Sequence, residues 1–524
     1  MSLRRAAATL APGVSPAISL AISLALSLAL SLALLAGCSG DAARPDGLEP
    51  PPSAMEPADG GAAGGASTTS VSAPVVTEPV EQDLDLAVST PVEDSVYPDV
   101  GDPRVDALHY DLDLTWEPGP KRLTGRAVLT FRAARTAPRF QLDLGAPLAV
   151  EEATLDGEPV RVTRLGKDLV VRAPIEADQR YELALDYAGT PEPAPAPTTR
   201  SDFSTTGFTI TPTGEVWTMQ EPYGAYTWYP VNDQPADKAL YDITVHAPPK
   251  WTGVANGELT ALETDADGTT TSWQLDEPAS SYLVTVAIGD YSHSSNTSAG
   301  GLRVDYWTPR GMTRPLDSIR TAAATVDWVE TRLGDYPFDS LGLVVTASQS
   351  AMETQTMVTL GTNDYVLSPQ VVAHEIVHQW YGDQVSPSDW RDVWLNEGMT
   401  MLLQWVYEHD HDIRPLRESL RNARAVDQQL RDQYGPPGAY DPDQFGGSNI
   451  YYTPALMWNE LREDLGDEEF YRIARSWLTE NDNTSVSRKQ VYDHWEAETG
   501  LELSEFFDRW ITGRRTPAPG VPSA

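Results

Sequence analysis

The sequence His-Glu-Ile-Val-His at residues 374–378 decides the fold of this chain, and Asn-Glu-Gly at residues 396–398 completes the pattern. Residues four apart lie on one face of a helix, so His374 and His378 direct their imidazole nitrogens to one point. A catalytic zinc has three protein ligands and keeps one open position. The spacing predicts one zinc ion, held by His374, His378 and Glu397.

Glu375 follows the first histidine and is not one of the three metal ligands. It is predicted to lie beside the open coordination position and to act as the general base. Ser368 and Pro369 are typical of an N-cap and first helical residue, and they predict a helix that begins just before the motif. The 18 residues between His378 and Glu397 suit a loop and a second, returning helix. Two histidines and two glutamates buried together would be costly without a metal.

The surrounding segments resemble the zinc core of the aminopeptidase N family, which also contains the leukotriene hydrolases. The resemblance extends from about Tyr97 to about Gly513. The segments that carry it are His-Glu-Ile-Val-His-Gln-Trp-Tyr-Gly-Asp at 374–383, Trp-Leu-Asn-Glu-Gly at 394–398, Asp-Tyr-Pro-Phe at 335–338, Gln-Glu-Pro at 220–222, Trp-Tyr-Pro-Val-Asn-Asp-Gln-Pro at 228–235, and Leu-Arg-x-x-Leu-Gly-Asp at 461–467.

The exopeptidase motif of that family, Gly-x-Met-Glu-Asn, is Ser-Ala-Met-Glu-Thr at residues 350–354 of this chain. The resemblance implies that Glu353 holds the free amino terminus of a peptide, because an ammonium group needs an acidic partner. The flanking glycine and asparagine are replaced, which changes the surroundings of the glutamate and keeps its charge. The substrate-binding residues implied in this way are Glu353, Gln220, Glu221, Met352 and Ala351.

The family's Tyr-x-Lys-Gly-Ala segment is Tyr-Tyr-Thr-Pro-Ala at residues 451–455. Its tyrosine stabilises the tetrahedral intermediate in relatives, and a phenol suits the task as a donor toward a developing oxyanion. The register implies Tyr451, and Tyr452 is the alternative, because the lysine and glycine are both replaced. Gln404 is a further departure, since many relatives have a glutamate there that adds charge near the metal.

The amino terminus has the features of an export signal at residues 1–37. Arg4 and Arg5 precede a long Ala/Leu/Ile/Ser run, which ends in Leu-Ala-Gly-Cys at residues 35–38. These four residues look like a bacterial lipobox, so we predict a lipoprotein that is anchored to the cell envelope through lipidated Cys38, with its catalytic part outside the cytoplasm. An uncleaved transmembrane helix is the alternative, because the run is about long enough to span a bilayer.

The remaining sequence predicts an α+β multidomain fold. Residues 38–95 are rich in Pro, Ala, Gly and Ser and predict a disordered tether. Alternating apolar and polar residues over 96–306 predict an N-terminal β-sandwich or saddle. Helical spacing over 307–515 predicts a mainly α domain, and the resemblance implies that it is a thermolysin-like zinc peptidase domain; residues 516–524 form a tail. Larger relatives continue into a helical domain, so a more open cleft is expected here, without any carboxylate anchor that this domain carries.

The chain carries a formal net charge of −39, and removal of residues 1–37 with their two arginines gives −41. A surface this acidic disfavours nucleic acid as a partner. Glu-His-Asp-His-Asp at residues 408–412 is a candidate second metal site. Alternate residues of a helix diverge, however, and a solvated surface run is the simpler interpretation.

Together these features predict an enzyme, a zinc metallopeptidase that removes amino-terminal residues from peptides outside the cytoplasm. Two alternatives stay open. One is a zinc endopeptidase with an open cleft, which the altered residues 350–354 would permit. The other is a catalytically silent, lipid-anchored protein that binds peptides, against which the retained Glu375 argues.

Overall fold

The computed structural model describes residues 73–312 and 316–521. The predicted signal peptide, Cys38 and most of the predicted tether lie outside the described residues, as do the last three residues of the tail. Within the described ranges, none of the helices combines the length and the apolar character that crossing a bilayer requires.

The first half of the described chain is built on an eight-stranded sheet. Apolar and polar residues alternate along its strands, so one face of the sheet is buried. In one strand Tyr110, Leu112 and Leu114 are buried, whereas Asp111 and Asp113 are exposed. In spatial order the strands are β14 (Glu258–Thr264), β15 (Thr269–Ser280), β12 (Lys238–Ala247), β1 (Val105–Glu117), β2 (Arg122–Ala133), β8 (Arg180–Gly189), β4 (Leu148–Leu155) and β5 (Glu158–Pro159).

Two smaller sheets complete the β-rich part, and one apolar core joins them to the large sheet. The five-stranded sheet has the order β13 (Thr252–Ala255), β16 (Val286–Gly289), β11 (Val216–Met219), β10 (Thr205–Ile210), β9 (Ala194–Pro195). The three-stranded sheet has the order β3 (Phe140–Asp143), β7 (Asp168–Val171), β6 (Val162–Leu165).

The segment 73–95, which the composition assigns to the tether, lies along this β-rich part. Thr77 N–H donates to the Leu259 carbonyl at 2.9 Å, and Ser89 Oγ donates to Asp106 Oδ1 at 2.7 Å. A small apolar cluster adds to these hydrogen bonds, because Ala87 and Leu84 pack against Leu108 and Leu240. The prediction of a tether that reaches residue 95 is therefore corrected: the described chain from residue 77 onward is attached to the sheet.

A second five-stranded sheet begins the catalytic half. Its order is β17 (Tyr291–Thr297), β18 (Arg303–Pro309), β19 (Leu341–Val345), β21 (Met357–Leu360), β20 (Ala351–Met352). The predicted boundary at residues 306 and 307 falls inside β18, which pairs in parallel with β19. The boundary is corrected to the link before β17, because both strands belong to the sheet of the second half.

Helices dominate the rest of the chain and share one large apolar core with this sheet. The helical spacing predicted for this half agrees with long helices such as Asn449–Leu465 and Asp467–Glu480. The predicted α+β fold, β-rich and then mainly helical, is confirmed. The α-helices of the described residues are α1 (Ala322–Leu333), α2 (Pro369–His378), α3 (Trp394–Asp410), α4 (Leu416–Tyr434), α5 (Asn449–Leu465), α6 (Asp467–Glu480), α7 (Arg488–Thr499) and α8 (Ser504–Ile511), and a short ladder pairs β22 (Ser386–Pro387) with β23 (Ser485–Val486).

Buried hydrogen bonds fix the β-rich part against the loop that follows α2. Lys238 Nζ donates to the carbonyls of Asp383 at 2.6 Å and Gln384 at 3.1 Å, and the Tyr282 hydroxyl donates to the Gly382 carbonyl at 3.0 Å. Burial lowers the pKa of Lys238 to about 7. The loop that closes the histidine motif thus rests on side chains from the other half of the molecule.

Candidate active site

Helix α2 carries both histidines and begins where the sequence predicts. Ser368 has an extended backbone and Pro369 is the first helical residue. The Ser368 side chain does not cap the helix, because its hydroxyl donates to the Tyr365 carbonyl at 2.6 Å instead. The predicted helix start is confirmed, and the predicted role of the serine side chain is not.

Helix α3 returns past α2 and places Glu397 in its first turn, where the helix dipole favours a negative charge. Gly398 allows a close approach at this point. A Cβ added to Gly398 would lie 2.5 Å from Pro454 Cβ of α5. The small residue after the glutamate therefore lets α5 pack directly on α3, and α5 carries Tyr451.

The three predicted metal ligands converge. His374 Nε2 lies 3.1 Å from His378 Nε2, and Glu397 Oε2 lies 3.4 Å and 3.5 Å from these two nitrogens. Ligand atoms that are each 2.0–2.1 Å from one tetrahedral ion are about 3.3–3.4 Å apart. Glu397 Oε2 is also buried and has no hydrogen-bond partner among the described residues. Donor types and spacing both fit a single zinc ion.

Neighbouring groups orient the ligands. His378 Nδ1 lies 2.9 Å from the Tyr381 carbonyl, to which it donates, and this bond leaves the lone pair of Nε2 directed at the site. Gln404 donates to Glu408 Oε1 at 2.9 Å. Arg414 lies 3.8 Å from the other oxygen of Glu408, so the negative charge of Glu408 is paired with an arginine.

The ionisable groups of the site strongly change one another's pKa values. Burial opposes the charge on Glu397, but the nearby His378 and His374 imidazoles outweigh it and lower the Glu397 pKa to about 2. Burial, with the charges of Glu353 and Glu397, raises the pKa of Glu375 well above its usual range. A carboxyl with a raised pKa is suited to accept and return a proton.

Glu353 and Glu221 face the same cleft from opposite halves of the molecule. Each has a buried carboxylate oxygen, Oε1, without a hydrogen-bond partner among the described residues. One carboxylate oxygen of each lies within 4.8 Å of the other and of Glu397. Burial and the neighbouring Glu353 raise the pKa of Glu221. Two unpartnered acids beside the metal ligands form a site for a cation.

Gln220 is not brought to the cleft, so its predicted role in substrate binding is corrected. Its amide nitrogen donates to the carbonyls of Ser281 at 2.8 Å and Val284 at 2.5 Å, and its amide oxygen accepts from Trp228 Nε1 at 3.0 Å. Successive side chains of an extended segment point in opposite directions, so Glu221 faces the cleft and Gln220 supports the loop behind it. Ala351 and Met352 line the cleft beside Glu353.

The two candidate tyrosines have different surroundings. Tyr451 stacks on the His374 ring at a centroid distance of 6.1 Å, and burial, Glu397 and other acids raise its pKa well above 10. Tyr452 packs on Trp405 at 5.7 Å, near the charges of Arg414 and Glu408. The register that implies Tyr451 is thus supported by its position beside the metal ligands.

The cleft has a volume of about 390 Å³ and is lined by both halves of the molecule. One lining residue that the sequence gives no reason to select is Arg200, from the loop before β10. It is the one lysine or arginine among the described residues that line the cleft. Residues 408–412 do not form a second metal site: among the described residues, the groups of ligand atoms close enough to hold an ion all include Glu397.

Comparisons with known proteins agree with this geometry. The Peptidase M1 N-terminal domain matches residues 106–283, and the Peptidase family M1 domain matches residues 318–510. The chain belongs to the M1 family of zinc metallopeptidases, the aminopeptidase N family. The two matches follow the two halves of the fold.

Similar curated proteins include Aminopeptidase 2 of Candida albicans, 28% identical over 447 residues, which cover 78% of this chain and 47% of that protein. Glutamyl aminopeptidase of Rattus norvegicus is 23% identical over 462 residues, which cover 80% of this chain and 48% of that protein. The chain therefore spans about half the length of these relatives.

A similar solved structure is that of an M1 zinc metallopeptidase mutant from Deinococcus radiodurans bound to a Tyr-Ser-Ala substrate. It has a TM-score of 0.72 and 25% identity, and the match covers 83% of this chain and 100% of that chain. The two-part architecture is thus shared with a solved M1 peptidase over nearly the whole described molecule.

Proposed function

We propose that this protein is a zinc-dependent aminopeptidase, which hydrolyses the first peptide bond of peptides. The observation that carries the proposal is the pair of buried carboxylates, Glu353 and Glu221, beside the His374, His378 and Glu397 ligand set. The Oε1 atom of each has no hydrogen-bond partner in the described part of the chain. A protonated amino terminus satisfies both acids, and it fixes the first carbonyl of the peptide close to the metal ligands.

The chain's own residues divide the chemistry among them. When bound, zinc acts as a Lewis acid on the carbonyl and lowers the pKa of water. Glu375 accepts the proton of the attacking water and delivers it to the nitrogen of the leaving amine. Tyr451 donates its hydroxyl hydrogen to the oxygen on which negative charge develops.

The strand β20 positions the peptide backbone. It pairs antiparallel with β21 through Ala351 and Met352, and it is the last strand of its sheet. The free edge of such a strand offers N–H and C=O groups to an extended peptide. Because Glu353 follows β20 directly, a peptide paired with this edge presents its amino terminus to the carboxylate.

The test is to incubate the purified protein with a mixed peptide library and to identify products by mass spectrometry. Release of single amino-terminal residues, with internal bonds uncut, is the expected result. Cleavage of internal bonds in amino-blocked peptides would instead support the endopeptidase alternative. Tight binding of peptides by the zinc-loaded protein without any cleavage would support the silent binding protein.

We also propose that the protein is exported and lipid-anchored through Cys38. The signal-like residues 1–37 and the lipobox-like residues 35–38 support this location. Cys38→Ser is expected to move the protein from the membrane fraction to the soluble fraction and to leave peptidase activity unchanged. A wild-type protein that carries Cys38 without lipid, measured by mass spectrometry, would contradict the proposal.

A further inference from the structure

Among the described residues that line the cleft there is one permanent cation, and the chemistry above leaves it unused. Arg200 lies in the loop between β9 and β10, and its side chain is 34% exposed. Its charge acts on three groups of the site, since it favours the ionised forms of Glu221, Glu375 and Tyr451. A guanidinium that faces the site from the β-rich half is available to a substrate.

One edge of this guanidinium is held in place. Asp202 accepts from Arg200 Nη2 at 2.7 Å and from Nε at 3.3 Å. The remaining nitrogen, Nη1, makes a long contact of 3.5 Å with the Gly446 carbonyl, and the guanidinium also interacts with the Tyr451 hydroxyl. Arginine has five N–H donors in a rigid fork, so the group is oriented by these contacts and keeps a donor for a substrate.

The loop that carries Arg200 is fixed across the cleft. Phe445 N–H donates to the Pro197 carbonyl at 2.9 Å, and Thr199 Oγ1 lies 3.3 Å from Gln444 Oε1. Burial disfavours the charge on Asp202, but side-chain hydrogen bonds from Arg200 and Ser350 outweigh it and lower its pKa. Arg200 and Ser350 also line the same cleft, so the Arg200–Asp202 pair lies at the Ser350 end of the segment that leads into β20.

The position of Ser350 at this end of β20 fixes the distance between Arg200 and Glu353, which binds the substrate's amino terminus. Ser350 and Glu353 are three residues apart, which is about 10 Å in an extended chain. An extended tripeptide spans about the same length from its amino terminus to its carboxylate. A peptide of three residues, with its amine at Glu353, places its carboxylate near Arg200.

We propose that Arg200 anchors the carboxylate of short peptide substrates, and that this enzyme prefers peptides of about three residues with a free carboxyl terminus. The inference rests on the proposed aminopeptidase activity and adds a substrate class to it. Arg200 could equally bind the side-chain carboxylate of an acidic residue at the third position of a longer peptide. The experiment must therefore distinguish this carboxylate from the one at the carboxyl terminus. Arg200 acts here in specificity, because it binds the end of the substrate opposite to the free amino terminus.

The test compares four substrates: Ala-Ala-Ala, its carboxyl-terminal amide, Ala-Ala-Glu amide, and alanine p-nitroanilide, which has no carboxylate. The wild type is expected to cleave Ala-Ala-Ala with a kcat/KM at least about tenfold above that of its amide, as a charge-assisted contact gives. Arg200→Met is expected to remove this difference, because its loss on Ala-Ala-Ala exceeds any loss on the amide or on the p-nitroanilide by at least about tenfold. If Ala-Ala-Glu amide matches the free acid, the anchor serves acidic side chains rather than chain ends.

Arg303→Met is the matched control, because Arg303 also pairs with the acid two residues later, Asp305, and is 35% exposed. It lies outside the cleft and is expected to leave all four rates unchanged. Equal cleavage of the free acid and the amide by the wild type would overturn the anchor. So would an equal loss on all substrates in Arg200→Met, which would assign Arg200 to the support of Tyr451. Failure to cleave even the p-nitroanilide would refute the proposed function itself.

Discussion

Gln379 Nε2 donates a hydrogen bond of 3.0 Å to the backbone carbonyl of Glu353. Gln379 directly follows His378, so the end of the metal-binding helix holds the segment that presents the amine-binding carboxylate. Its amide oxygen accepts from Thr356 N–H at 2.9 Å, and its amide nitrogen also donates to Asp383 Oδ2 at 2.7 Å. The metal ligands and the amine site are thereby built as one unit.

Replacement of Gln379 is expected to separate metal binding from substrate binding. Gln379→Leu leaves the Glu353 carbonyl and the Thr356 N–H unpaired in the interior, which costs about 1–3 kcal/mol for each group. Zinc content is expected to stay near one ion, while kcat/KM for free peptides falls about tenfold or more, mainly through KM. Metal analysis and steady-state kinetics check this, and loss of zinc in the variant would contradict the assigned role.

The roles of Glu375 and His378 are expected to separate in the same two measurements. Glu375→Gln keeps the ligand set and is predicted to retain zinc, but to lose about 10²–10⁴-fold in turnover with the general base. His378→Ala removes a ligand and is predicted to lose the metal itself. Near-normal turnover in the Glu375 variant would exclude it as the base.

The tyrosine assignment is tested by a matched pair of adjacent variants. Tyr451→Phe removes the proposed donor to the oxyanion and is expected to lower kcat by about 10²–10³-fold. Tyr452→Phe keeps the packing against Trp405 and is expected to change kcat less than about threefold. The reverse ranking would transfer the role to Tyr452.

Stability is expected to depend on pH through Glu277. Burial and the neighbouring Asp339 and Asp276 raise its pKa from 4.5 to about 8. The folded protein therefore keeps this proton up to about pH 8, whereas the unfolded chain loses it near pH 4.5, so this group's contribution to the unfolding free energy falls as pH rises through that window.

Glu277→Gln does not titrate and is expected to be more stable than the wild type by about 1–2 kcal/mol at pH 9, allowing for partial exposure, with little difference at pH 4. Urea denaturation at both pH values measures the change. Glu152→Gln, on the exposed face of β4, is the control for loss of one negative charge. An identical shift in both variants would show that net charge, rather than burial, is the cause.

The two histidine ligands could be predicted from sequence because helix periodicity fixes which residues share a face, and Glu397 could be predicted from its distance to the motif and the need for a third ligand. His374 and His378 are one helical turn apart, and Glu397 lies in the first turn of the returning helix. The predicted role of Gln220 in substrate binding is wrong, because the direction of its side chain depends on the residue at which the preceding strand ends. Here β11 ends at Met219, so the two residues after it point to opposite sides.

Other features lie beyond any local pattern. Arg200 enters the cleft from a loop more than a hundred residues before the zinc motif in sequence, and only the tertiary fold brings them together. The attachment of residues 77–95 combines polar contacts, such as Val80 N–H with Gln274 Oε1 at 2.7 Å, with one small apolar cluster around Ala87. Composition predicts burial of apolar surface and carries no information about such pairing.

The central claim is that a buried carboxylate recognises the amino terminus of the substrate, and one double-mutant cycle tests it most directly. Wild type and Glu353→Ala are each assayed on a peptide with a free amino terminus and on its acetylated form. The charge-assisted contact predicts that acetylation costs the wild type at least about tenfold in kcat/KM.

Glu353→Ala is predicted to cost as much on the free peptide and almost nothing more on the acetylated one, because acetylation has already broken the pair. The coupling between the two changes is then at least about 1.4 kcal/mol. Equal hydrolysis of free and acetylated peptides by the wild-type protein would contradict amino-terminal recognition and leave the endopeptidase in its place.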